Sequence, residues 1–133
     1  MENQLTPEYK ITLAGKDYSL GGSFATLRAV QQGFNQDLFP LQARIIEMRV
    51  DEIAKLISLA ATENVSADEI GTLLIDEMDI FSKEYGILKA HLMAWLAIAM
   101  TPKSLREKKV RDMANLIAKV TSDSPGTTTS DSV

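Results

Sequence analysis

Three groups of residues in this chain have types and spacings that could do chemistry, and each stops short of a reaction. The single histidine, His91, could serve as a general base. It lies four residues before Trp95, which puts both on one face of a helix, and its neighbours are apolar, the setting of a core or boundary residue. Asp76, Glu77 and Asp79 offer carboxylate oxygens for a hard cation. A calcium loop needs oxygen ligands at alternate positions around a central glycine, and here Ile80 and Phe81 interrupt the series. The third group is the run Lys103-Ser104-Leu105-Arg106-Glu107-Lys108-Lys109-Val110-Arg111. On a helix, Lys103, Arg106, Lys108, Lys109 and Arg111 would form a face for a polyanion or an acidic partner. Against nucleic acid stand a net charge of −4 and the lack of any aromatic side chain within the run for base stacking.

Other catalytic signatures are missing. The chain has no cysteine and no Gly-x-Ser-x-Gly, and Gly21-Gly22 is not followed by the Gly-Lys-Ser/Thr of a phosphate loop. With one histidine and no cysteine, no zinc-type ligand spacing exists. A non-enzymatic protein without metal or cofactor is the expectation.

The elements that would carry these residues are mostly helical. At 133 residues, with 45% hydrophobic and 24% charged residues, the chain fits one soluble domain with a sizeable core. Met1 to Gln4 lead into no apolar run, so no signal peptide is expected. The most apolar stretch, Ile87 to Met100, is too short to span a bilayer and contains Lys89 and His91. Charge is split along the chain: residues 1–102 hold 8 Lys/Arg against 14 Asp/Glu, whereas 103–121 hold 6 against 2. Such a split suits head-to-tail self-association or an acidic partner for the last helix.

The one β-element comes first. Tyr9, Ile11 and Leu13 alternate with Lys10 and Thr12, the period of a half-buried strand. Gly15-Lys16 fits a two-residue type II′ turn, which would set Leu13 opposite Tyr18 and Ile11 opposite Leu20 on one apolar face. Phe24 and Leu27 of the next helix are its simplest cover. That helix is expected from Phe24 to about Gln32, with Ser23 as N-cap and Phe24, Leu27 and Val30 inward. A second is expected over Leu41 to Glu47, with Pro40 in its first turn. A third spans Val50 to Thr62, with nothing before it that forces a break from the second. Ser66-Ala67-Asp68-Glu69 is a capping box opening a helix with Ile70, Leu73, Leu74, Met78 and Phe81 inward. Gly86 marks a boundary or a tolerated break. Ile87 to Met100 is apolar on nearly every side, the pattern of a central helix, and Thr101-Pro102 ends it. A last helix over Lys103 to Thr121 turns Leu105, Val110, Met113, Ala114, Ile117 and Val120 inward. The expected fold is therefore α+β, mainly α: a hairpin at 9–20 packed on about five short helices, in one domain over 1–121. The polar stretch 122–133 has the composition of a disordered tail.

The hairpin, Gly15-Lys16-Asp17-Tyr18-Ser19-Leu20, then Phe24-x-x-Leu27-Arg28 opening a helix, and the short helices after it resemble the tail assembly chaperones of long-tailed phages and the related small tail proteins of gene transfer agents. The likeness covers roughly residues 8–100. It implies a non-enzymatic protein of the bacterial host cytoplasm that binds the long tape measure protein during tail morphogenesis, with no membrane or nucleic-acid partner and with homo-oligomers as a further form. A structural virion component, such as a tail-tube or head–tail connector subunit, is the alternative within the same setting; a helical DNA-binding regulator is the alternative outside it. Phe34, Leu38, Phe39 and Leu41 cluster near a helix break where a small domain has difficulty burying them all, and they are the candidate partner-binding residues.

Overall fold

A computed structural model describes residues 9–122 and, within α6, side chains as far as Lys119. The chain opens with an antiparallel hairpin, β1 (Tyr9–Leu13) and β2 (Lys16–Leu20), followed by six helices: α1 (Phe24–Phe34), α2 (Leu38–Arg44), α3 (Val50–Ala60), α4 (Ala67–Asp76), α5 (Lys83–Ala99) and α6 (Arg106–Ser122). Single 3₁₀ turns, Ile45–Glu47 and Lys103–Leu105, follow α2 and precede α6. The α+β, mainly α architecture is as the sequence pattern indicates. Of the stretch 122–133, expected to be a disordered tail, Ser122 closes α6 and 123–133 lie outside the described residues.

The hairpin pairs Ile11 with Tyr18, Tyr9 with Leu20 and Leu13 with Lys16, not Leu13 with Tyr18 and Ile11 with Leu20. Its turn is Ala14-Gly15, with φ of 52° and 82°. Two successive positive φ values define a type I′ turn, whose twist matches that of the flanking strands. The shift moves the register by two residues, so no side chain changes face. Ile11, Leu13, Tyr18 and Leu20 are all buried together, and Tyr9 gains a partner in Leu20. On the outer face Thr12 Oγ1 donates to Asp17 Oδ1 at 2.7 Å.

Helix α1 begins at Ser23, whose side chain accepts from the Thr26 N–H, and ends at Asn35 in the left-handed region. Its buried stripe is Leu27 and Val30, with half-buried Phe34 packed against the core. Phe24 is 74% exposed, and the Arg28 guanidinium lies 5.4 Å from its ring centroid. The steps 24, 27, 30 drift steadily around a 3.6-residue helix, so the stripe centred on 27, 30 and 34 leaves Phe24 to one side. The hairpin is covered instead by α5 and α3. Gly33 lies within α1 where α3 packs closely: a Cβ would sit 2.5 Å from Leu59 Cδ1.

Helices α2 and α3 are separate. Met48 and Arg49 adopt extended backbone between them, with Met48 buried. Glu52 accepts from the Arg49 N–H at 3.1 Å and pairs with Arg44 at 3.1 Å, fixing the angle between the helices. The Ser66–Glu69 capping box forms in both directions, with the Glu69 N–H on Ser66 Oγ at 3.1 Å and the Ser66 N–H on Glu69 Oε1 at 3.2 Å. Helix α4 stops at Asp76, so Phe81 leaves its stripe and is 91% exposed. Gly86 marks no boundary; it lies inside α5, which starts after Ser82. Helix α5 is central, burying Leu88, Leu92, Trp95 and Leu96 among others.

Candidate protein-binding groove

The feature with the clearest capacity to bind is an apolar groove of about 820 Å³ running along α5. Its floor is set by α5 residues spaced a turn apart, Gly86, Ala90, Ala94 and Ala97, with Met93 and Met100 beside them. Small side chains keep the floor low. Beside Gly86 the space is open, with no heavy atom within 4 Å of where a Cβ would stand. One wall is Phe39, Gln42 and Ile46 from α2 and the 3₁₀ turn after it; the other is Lys109, Met113, Leu116 and Ile117 from α6.

Polar contacts hold the first wall in place. Gln42 Nε2 donates to the Met93 carbonyl at 3.1 Å, and Lys89 Nζ donates to the Ile46 carbonyl at 3.0 Å. The same ammonium lies 4.9 Å from the Tyr85 ring centroid. The second wall rests on the α5–α6 turn, where Arg106 Nε donates to the Thr101 carbonyl at 3.0 Å. Helix α6 packs chiefly on α5, leaving Leu105, Val110 and Leu116 exposed; the expectation that Leu105, Val110 and Ala114 turn inward is corrected. Met113 and Ile117 are half-buried along the groove, while Val120 lies outside the described side chains.

The four residues expected to form a partner surface separate. Leu41 is fully buried, so it belongs to the core and offers nothing to a partner. Phe34 and Leu38 are half-buried and packed against that core, with the Lys55 ammonium 5.0 Å from the Phe34 ring centroid. Only Phe39 is displayed, at 79% exposure, on the rim of the groove. It occupies the second position of α2, one residue ahead of Pro40, and the apolar face of so short a helix is already used by Leu41 and Ile45. Ile46, Met93, Met100 and Leu116 complete the groove and are not in the sequence-derived site; the turn-by-turn small residues of α5 were the available signal.

The basic residues of the last helix do not converge either. Lys108 pairs with Asp112 at 3.2 Å and Arg111 with Glu107 at 3.9 Å, both along the helix. Arg106 is engaged at the α5–α6 turn, Lys103 sits in the 3₁₀ turn, and Lys109 faces the groove. A continuous cationic face for a polyanion is therefore absent among the described residues.

His91 is half-buried. Its Nδ1 lies 2.7 Å from the Tyr9 hydroxyl, and the rings are 5.8 Å apart. Burial lowers the His91 pKa and raises that of Tyr9, so both groups favour their neutral forms, and the imidazole tautomer sets which of the two donates. The pair ties β1 to α5. Asp79 has a local task, accepting from the Phe81 N–H at 2.9 Å in the α4–α5 turn. Among the described residues no group of three His, Cys, Asp or Glu side chains could hold a metal, and no helix is long and apolar enough to cross a membrane. Comparison of the chain with protein-family models, curated proteins and solved structures returns no match.

Proposed function

We propose that the protein is a non-enzymatic tail assembly chaperone of a phage or prophage, acting in the host cytoplasm, and that its groove holds a helical segment of the tape measure protein. One observation carries the reading: a three-sided apolar groove with a small-residue floor and methionine and phenylalanine on its walls. From Gly86 to Ala97 the floor measures about 16 Å, three helical turns. That shape accepts an amphipathic helix lying along α5, the helix-in-groove mode of recognition. Methionines at 93, 100 and 113 adapt to varied apolar side chains, which suits a client with many successive helical segments. The resemblance carried by the hairpin and the start of α1 supplies the biological setting.

Co-expression with a phage tape measure protein is the test. The chain is expected to keep that protein soluble and to co-purify with it, and Phe39→Asp to weaken the association by about tenfold or more with the thermal transition unchanged. An insoluble tape measure protein, or equal binding by the variant, overturns the reading. A collapsed transition in Phe39→Asp would place Phe39 in the core. Recovery of the protein from purified particles would identify a structural virion component instead.

A further inference from the structure

We propose that the outer edge of β1 is a docking strand for an extended, basic segment of a partner protein, a second binding surface that shares no residue with the groove. The two edges of the hairpin differ. On β2 the outward groups of Ser19 are used: its N–H donates to both Glu63 carboxylate oxygens at 3.0 and 3.2 Å, and its carbonyl accepts from the Thr62 N–H at 2.8 Å. Ser19 is thus an outward-facing position of the ladder. Its partner across the hairpin, Lys10, and the equivalent Thr12 opposite Asp17 turn their own N–H and C=O groups away from β2. No backbone or side-chain group among the described residues bonds to them. An open strand edge of this kind is a template for a further strand.

The space beside that edge fits one. A cleft of about 610 Å³ separates β1 from the α4–α5 turn and the start of α5. Its far wall is apolar where Met78 and Ile87 stand, and its rim carries Glu77, Asp79 and Glu84 against the single cation Lys10. An added strand turns alternate side chains to opposite sides. One set would rest on Met78 and Ile87, and long cationic side chains among the others would reach the three carboxylates. The charge balance selects a basic occupant. It cannot be this chain's own basic run, which is folded into α6 and the turn before it. The cleft, with Glu84 and Ile87, and the groove, with Gly86, Ala90 and Ala97, have no lining residue in common.

A synthetic hexapeptide of alternating lysine and valine is the probe, with the glutamate–valine peptide as its control. Titration of the isotope-labelled protein is expected to shift the Lys10 and Thr12 amide resonances and slow their hydrogen exchange. E77Q combined with E84Q should weaken binding about fivefold, and T12P, which removes an outward donor at a tolerated edge position, should abolish it. If T12P unfolds the chain, N-methylating alternate amides of the peptide makes the same test from the other side and should also abolish binding. No binding, equal binding of the two peptides, or binding indifferent to N-methylation and to T12P overturns the proposal. Loss of the groove's client through Phe39→Asp leaves this binding unchanged, so the two surfaces fail separately.

Discussion

The hairpin and helix α6 are integrated into the molecule in opposite ways. Five-residue strands joined by a two-residue turn have little stability of their own, yet the hairpin buries its whole apolar face and is tied down at several points. Trp95 Nε1 donates to the Gly21 carbonyl at 2.7 Å, the Gly21 N–H donates to the Ala60 carbonyl at 2.8 Å, and Tyr9 meets His91. Helix α6 has 17 residues and its own i,i+4 ion pairs, and it leaves Leu116 52% exposed. The weak element is held by tertiary contacts; the long one is spared for display. An element's intrinsic strength is thus a poor guide to its share of the core.

Breaking the hairpin side should cost most. Leu20 is completely buried, and Leu20→Ala is expected to destabilise by about 3 kcal/mol in urea unfolding, whereas Leu116→Ala should shift stability by less than about 0.5 kcal/mol. Equal effects would erase the contrast. Next comes Trp95→Phe, which keeps most of the packing but leaves the Gly21 carbonyl without its donor in a buried place. A loss of about 2 kcal/mol is expected in the same unfolding measurement. A smaller change in the other direction tests the turn. Ala14 holds a φ of 52° that glycine adopts freely, so Ala14→Gly should raise the melting temperature, by roughly 0.5 kcal/mol of stability. A fall would mean that the type I′ geometry is not what fixes the register. Smallest is the pH effect at His91. Burial lowers its folded pKa below the ordinary 6.5, so the unfolded chain binds the proton more readily. Its contribution is fully present above pH 6.5 and is lost as pH falls from there through the lower folded value. His91→Gln should flatten the slope of stability between neutral pH and pH 5, and an unchanged slope would assign it to other groups.

Local signals were legible where one residue dictates one hydrogen bond. Ser23 and the Ser66–Glu69 box cap their helices, and the all-round apolar run of α5 marks the centre of the fold. Period-2 alternation gave the correct face of the hairpin but not its register, because a two-residue shift leaves the pattern identical. Phe24 was misplaced because a spacing of three, repeated, walks around a helix. Gly86 was read as a boundary or a tolerated break because its use, an open floor between two walls, depends on α2, more than 40 residues away. The partner-binding set failed at Leu41 for a related reason. Composition says that four apolar residues crowd a short helix, but only the placement of α3 and α5 decides which of them is left outside.

The buried bond from Trp95 to Gly21 also makes the molecule report on itself. Trp95 is the sole tryptophan of the chain, and its indole sits where β2 leaves the hairpin and meets α5. Its emission is therefore a single-site optical gauge of hairpin docking. Lifting the hairpin off α5 would admit water to the ring and shift that emission to longer wavelengths while the far-ultraviolet signal of the helices persists. No dye has to be attached to distinguish release of the hairpin from melting of the bundle.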